Sequence, residues 1–556
     1  MSSTFKLHSN INEVVPYNVM YSFPTQSTKI AKQNVKLVPK NGQTFYKNGT
    51  VRIEFPAENY LNVLNSTLSF DVTVTAPTAV YSVAFTGTLS AANVRPRQWT
   101  LDLTGGSGNW IISGNALKSN DLTYLPCVLT TTTTADKGTY YNVIVRHTST
   151  AGASSTFTFL YEWPVIPVVG DTFAVFPNVS FQRGGAHNIF NRVTVKYGSL
   201  TIEDIQEYGR LVRLFYELGV QKDYAGSHGQ ILDGMAASHT NDASGSNLPG
   251  DISDTFIDSN VITNSFNPAD VYFAPEAAVA TTFLYPGRRR TFNINLLTGL
   301  FTQRKLIPLK WMASQLALEL TIANEGDALV MFGGSKNGTR NVDSTVPTYT
   351  IEEVRFIAEL VEFDSAFDAS FYGALTTMGI PLKFGSWHYH TFPITGTQSV
   401  FQIHERSRSV KSAYAVVVTN KDGNHLIDRN RFYHDLNLDP SSSTGAVTWD
   451  ANGAAAPIEE FWWRVGGRYY PSQPIRCMYG SSEAFIEVSK CLDNLGDYTR
   501  GSQISAQRWS ANYNPSATFT TEREHGGSAF IMACSFENTD VMPDTLAGIN
   551  AEVIYI

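Results

Sequence analysis

Any chemistry in this 556-residue chain has to come from a few clustered groups. Glu352-Glu353 and Glu459-Glu460 are the candidate carboxylate pairs. Glycoside hydrolysis needs a general acid and a base or nucleophile presented together in one cleft. Neighbours in a strand point to opposite faces, so neither pair holds both roles, and both read as surface charge. His388-Tyr389-His390 would put two imidazoles on one strand face, half of a metal site, but no third ligand accompanies them. Packing or contact between subunits is the better reading. Cys127, Cys477, Cys491 and Cys534 form no CxxC pair and are too scattered for a disulfide framework. They are expected as buried thiols made in a reducing compartment. The stretch 241–254 offers oxygen ligands but no EF-hand spacing. Gly333-Gly334-Ser335-Lys336-Asn337-Gly338 lacks the Gly-Lys-Ser/Thr ending of a phosphate-binding loop and reads as a linker. HExxH and GxSxG are absent. No catalytic, cofactor-binding or metal residue is assigned, and an enzyme is not expected.

The elements that would position such groups are mostly strands. Phe292, Ile294 and Leu296 alternate with polar residues, as do Leu316, Leu318, Leu320 and Ile322, and as do Leu68, Phe70, Val72 and Val74. Period-two patterning predicts strands with one buried face. Further strands are expected at 51–55, 188–197, 351–363, 399–404, 412–419, 460–465 and 549–556. A helix is expected over 201–218, where Thr201 with Asp204 resembles a capping box and Ile202, Ile205, Leu211, Val212 and Phe215 form a stripe closed by Gly219. A second helix is expected over 482–495, ended by Gly496.

Hydrophobic residues make up 43% and charged residues only 16%, with 33 Phe and 26 Tyr, a β-rich and polar-uncharged profile. The length calls for two or more cores. No apolar run suggests a signal peptide or a membrane span. Charge is uneven. Residues 1–52 carry six Lys and one Arg against Glu13 alone, a balance of +6 in a chain of net −8, which leaves −14 on the rest. This predicts a basic arm over 1–44, either simply solvated or reaching something anionic or another protein. Residues 220–287 carry eight acidic groups against Lys222 and read as a long exposed excursion. The Ser/Thr-rich region 76–176 reads as a β-rich insertion.

The two halves echo one another. Arg192-Val193 followed by Tyr197 matches the spacing of Arg464-Val465 followed by Tyr469, each ahead of a glycine-closed helix; Leu318-Glu319-Leu320 and Ala551-Glu552-Val553 end the halves. This order predicts two copies of one fold. The segments 181–195 with 201–205, 290–300 with 306–309, 405–417 and 461–475 resemble double jelly-roll major capsid proteins of the adenovirus/PRD1-type lineage, closest to those of virophages and polinton-like viruses. The match covers roughly 45–75, 180–220, 284–324 and 349–556. The resemblance implies an all-β chain of two tandem antiparallel eight-stranded jelly rolls, with long loop insertions and a few short helices. The first roll would span 45–324, with insertions at about 76–176 and 220–287. A linker over 325–348 and a second roll over 349–556 would follow. It implies a major capsid protein of a DNA virus, located in the virion and made inside the host cell. Homotrimeric, pseudo-hexagonal capsomers would tile an icosahedral shell, with penton and minor capsid proteins as partners. The arm would then contact genome, membrane or minor proteins on the inside. The rival class is a β-sandwich carbohydrate-active enzyme or lectin.

Overall fold

The computed structural model describes residues 31–75, parts of 81–219, 289–332, most of 348–418 and 458–492, with shorter stretches at 229–233, 432, 504–509, 529–536 and 549–555. The chain opens with β1 (Ala31–Leu37), β2 (Thr44–Phe45), β3 (Thr50–Glu54) and the long β4 (Tyr60–Val74). The region 76–176 supplies β5 (Tyr81–Ala84), β6 (Val94–Arg95), β7 (Gln98–Asp102), β8 (Pro126–Thr131), β9 (Gly138–Thr150), β10 (Ser154–Phe159) and β11 (Thr172–Val175). Next come β12 (Asn178–Phe181), β13 (Phe190–Tyr197), β14 (Leu200–Gln206), helix α1 (Tyr208–Gly219), β15 (Arg289–Ile294), β16 (Leu316–Ile322), β17 (Leu329–Phe332) and β18 (Tyr349–Glu362). The second half holds α2 (Ser365–Met378), β19 (Gln402–Ile403), β20 (Ser407–Val410), β21 (Ser412–Ala415), β22 (Glu460–Val465), β23 (Arg468–Arg476), α3 (Ser482–Cys491), β24 (Met532–Ser535), β25 (Ile549–Ala551) and β26 (Ile554–Tyr555).

Two antiparallel sheets face each other in the first sandwich, one ordered β1-β18-β4-β15 and the other β14-β13-β16-β3. Their inward residues are the alternating ones. Leu68, Phe70 and Val72 of β4 and Leu318 and Leu320 of β16 are fully buried, each worth about 1.5–3 kcal/mol over exposure. Phe70 meets Phe190 of the opposite sheet edge to face at 5.3 Å. A smaller core under the insertion holds Leu129, Ile144, Phe157, Phe159 and Phe173 against one another, outside the core of the sandwich. Its seven strands pair in the order β5-β11-β8-β9-β10-β7-β6, so region 76–176 is a small β-domain set into a loop.

The second sandwich repeats the plan of the first. Its sheet runs β23-β22-β26-β19, and the first has β14-β13-β16-β3. In both, a hairpin supplies the first two strands, a strand from later in the chain lies third, a strand from before the hairpin lies fourth, and a helix follows the hairpin. Gly198 and Gly466 turn the two hairpins with the same φ of 59°, in the left-handed region that glycine enters at no cost. The duplication is real, but the residue echo that announced it is out of register. Arg192 to Tyr197 lie within one strand, whereas Arg464-Val465 end β22 and Tyr469 lies in β23 beyond the turn.

Three boundaries differ from those expected. Ala31–Leu37 is not arm: it pairs with β18 over seven residues. The stretch assigned to a linker contains β17, which pairs with β12. Tyr349–Glu362, expected to open the second roll, lies at the centre of the first sandwich between β1 and β4. The strands of 316–322 and 460–465 coincide with expectation, and α3 starts where predicted. Thr201, read as a helix cap, lies in β14 instead, and the helix starts at Tyr208. Most of 220–287, the glycine stretch 333–338, the calcium candidate at 241–254 and residues 1–30 lie outside the described residues.

Candidate functional site

A buried polar arrangement surrounds the turn Leu297–Leu300 of the first sandwich, where the segment Phe384–Trp387 packs against that core. Two buried acceptors hold it. The Tyr208 hydroxyl at the start of α1 accepts from Leu297 N at 2.8 Å. The Glu203 carboxylate of β14, 3% exposed, accepts from Gly299 N at 2.6 Å and Leu300 N at 3.2 Å. It also accepts from Ser386 Oγ, at 3.1 Å, on the segment leading into the second half. Burial pushes the Glu203 carboxyl above the usual carboxylate range, and these donors oppose that shift. Gly299 lies so close to Gly385 that a Cβ there would overlap the Gly385 carbonyl.

A second network continues from Tyr208. Tyr216 gives its proton to Asp233, so His187 Nε2 carries the ring hydrogen and Nδ1 of the neutral imidazole accepts the Tyr208 proton, 3.1 Å away. His187 Nε2–H then donates to the Tyr216 hydroxyl at 3.0 Å, and Tyr216 donates to Asp233 Oδ2 at 2.8 Å. This order of donors requires a neutral imidazole. Burial lowers the His187 pKa to about 3. Asp233 is 2% exposed, so the acidic excursion is rooted in the core at this point rather than exposed there.

Helix α1 joins the two cores. Tyr208 and Val212 pack in the first, Leu214 and Leu218 in the second. Phe215 meets Trp387 at a tilt with ring centroids 4.6 Å apart, Trp387 reaches Tyr414 at 6.2 Å, and the buried Arg213 guanidinium lies 4.2 Å over the Phe432 ring.

The described residues between β18 and β19 are mostly exposed. Asp364 caps α2 by accepting from Phe367 N at 2.9 Å. Asp368 takes Lys310 Nζ at 2.6 Å and the Tyr60 hydroxyl at 3.1 Å, and Phe363, Phe367 and Phe371 surround the Tyr60 ring. The other side of the helix, with Ala369, Gly373 and Ala374, faces outward. Further on, Tyr389, Phe392, Ile394 and Val400 are exposed, Val400 by 74%. From Ala369 to His404 the only formal charge is Lys383, in a chain with 16% charged residues.

The residues singled out for chemistry are not gathered into a cleft. Glu352 and Glu353 both face away from the core, because Glu353 sits in a bulge with φ 51°. Glu353 pairs with Arg355, and Glu352 lies 3.7 Å from Arg289. Glu459 and Glu460 stand at the start of β22, in the other sandwich. His388 and His390 are exposed on an irregular extended segment rather than a strand. Among the described residues no group of three metal-ligating side chains occurs. Burial pushes the Cys477 and Cys534 thiols up to about 12, and raises Cys127 as well.

The basic arm also resolves differently. Lys32, Lys40 and Lys47 pair with Glu359, Glu54 and Glu325, and Arg52 pairs with Glu54 and Glu319. The positive excess is therefore largely matched by carboxylates of the first sandwich. Residues 1–30 retain only Lys6 and Lys29 against Glu13. The sequence missed Glu203 and His187 because a lone carboxylate or imidazole in a strand region carries no spacing signal.

Two tandem antiparallel sandwiches with a duplicated sheet order define a double jelly-roll chain. No protein-family model matches it, and no curated protein is similar to it. Among solved structures, the Faustovirus major capsid protein aligns at 9% identity and a TM-score of 0.43, over 98% of this chain and 89% of that one. A chain of the Sputnik virophage aligns at 9% identity and 0.41, over 97% and 84%. One of the PBCV-1 virus capsid aligns at 9% and 0.38, over 96% and 94%.

Proposed function

We propose that the chain is a shell-forming subunit, a major capsid protein. Its copies associate as homotrimeric, pseudo-hexagonal capsomers that tile an icosahedral virion. The observation that carries this reading is the run of exposed apolar side chains Tyr389, Phe392, Ile394 and Val400, in a stretch of sequence that holds almost no charge. Exposed apolar groups in such number mark a contact surface, and interface cores are depleted of charge and enriched in aromatics. The occupant is a second copy of this chain. Copies of net charge −8 repel one another, and they approach most easily over a face that carries almost none of that charge.

The remaining features fit the same role. Two sandwiches per chain give six per trimer, the number a pseudo-hexagonal tile needs. The inserted β-domain at 76–176 and the acidic region 220–287 serve as loops on the outer face. Residues 1–30, with a balance of only +1, contact a neighbouring copy or a minor capsid protein rather than nucleic acid; penton and minor proteins complete the shell. Assembly takes place inside the host cell. The carbohydrate-active alternative gains no observation, since its two carboxylate pairs stand in different sandwiches.

The test is to replace Phe392 and Val400 together by Asp and follow sedimentation of the full chain. Val400 is 74% exposed, whereas Phe392 is 37% exposed and stacks on Phe401, so circular dichroism and the single variant Val400→Asp accompany the double variant to show that the fold is retained. Wild type should sediment as a trimer or larger, and the double variant as a folded monomer. Association unchanged by the double variant would remove this face from the account.

A further inference from the structure

The joint between the sandwiches is built around one ionisable group. Glu203 is the inward residue of β14 at a position where the neighbouring inward residue is Ile205, and it is almost fully buried. Its carboxylate gathers donors from both halves of the chain: Gly299 N and Leu300 N from the first sandwich, Ser386 Oγ from the segment entering the second. Around it the fit is close. Gly299 touches the Gly385 backbone with no room for a side chain, and Phe384 and Trp387 pack on the first core. Arg210 Nη1 donates to the Tyr389 hydroxyl at 3.1 Å just beyond. An apolar residue at position 203 would serve the core of a single sandwich better, because burying a carboxylate is costly unless its acceptors are all used. What the carboxylate adds is direction. It accepts along fixed lines from two segments more than eighty residues apart in sequence, whereas apolar packing alone would let them slide.

We infer that Glu203 is a positioning residue for assembly: it fastens Gly385–Ser386, at the entry to the second sandwich, to the 297–300 turn of the first. The angle between the two sandwiches is thereby fixed. This rests on the shell-subunit reading, because identical contacts between copies close into a regular tile only when both sandwiches of every copy hold one relative orientation. Ser386 contributes one donor beside Gly299 N, Leu300 N and the Thr298 side chain, so its hydroxyl supports the lock without carrying it.

The experiment compares full-length wild type with Glu203→Gln and Ser386→Ala by hydrogen exchange, with oligomeric state read on the same samples. Glu203→Gln keeps the shape and one acceptor oxygen; Ser386→Ala removes a single donor and leaves the carboxylate on its backbone partners. In Glu203→Gln, amides of 384–389 should lose protection by about tenfold or more, the scale of a lost charge-assisted bond, while β16 stays as protected as in wild type. Ser386→Ala should show a smaller loss confined to the same segment. The loosened variant should still form trimers, and its shells should be irregular or absent. Unchanged exchange at 384–389 in Glu203→Gln would overturn the inference, as would equal loosening of β16, which would make Glu203 an ordinary core group. A wild type that stays monomeric while 384–389 loosens in the variant would leave the lock standing and remove the shell-subunit reading instead.

Discussion

His187 shows how a buried residue reports on the whole first sandwich. Leu297, Tyr208, His187, Tyr216 and Asp233 form one directed chain of hydrogen bonds, with the imidazole neutral at its centre. Its pKa, about 3 in the fold, lies below the unfolded value near 6.5. A depressed base contributes stability that is present above the unfolded value and lost as pH falls through the folded one. Wild type should therefore lose roughly 1.4 kcal/mol per pH unit from this group between about pH 6.5 and 3. Denaturant titrations across that range should show the slope, and His187→Gln should flatten it. Glu203 has the opposite sign. Its raised carboxyl contributes stability that is present below the unfolded value and lost as pH rises through the folded one. Glu203→Gln should remove that loss, seen as a smaller decline in stability as pH is raised through and above the usual carboxylate range.

Among the elements, α1 makes the two sandwiches interdependent. Leu218 follows the first hairpin in sequence but lies in the second core. Leu218→Ala should cost about 2–5 kcal/mol. The loss should appear in the hydrogen exchange of β24, over 300 residues away in sequence, as early as in that of β13. A loss confined to β13 would contradict the shared helix. The same region shows why some elements were legible in the sequence and others not. β4 and β16 are readable because Leu68, Phe70, Val72 and Val74 in the one and Leu316, Leu318, Leu320 and Ile322 in the other are apolar and share the inward face. β14 is not, because its inward residues are Glu203 and Ile205 while Ile202 and Asp204 lie on the other side. The binary pattern therefore reads backwards there, and Thr201 with Asp204 imitates a helix cap. β18 was recognised as a strand, but its place between β1 and β4 depends on pairing across the chain, which periodicity does not encode. Sites built from single residues, such as Glu203, become visible only when the donors of distant segments are brought around them.

For the whole molecule, the N-terminal boundary changes what truncation should do. Deleting residues 2–40 would strip β1 from β18 and remove Lys32 and Lys40 from their partners. Deleting 2–30 leaves the sheet intact. The shorter deletion should therefore keep the thermal midpoint of wild type, and the longer one should lower it, as read by calorimetry. Equal midpoints would mean that β1 contributes little to the first sandwich.

The central claim is that this interlocked pair of sandwiches exists to associate with copies of itself. Native mass spectrometry of the purified chain tests it most directly. Three copies of the 61.3 kDa chain, or larger assemblies in multiples of three, are predicted. A single species at the mass of one chain, at concentrations and salt where the protein is fully folded, would contradict it.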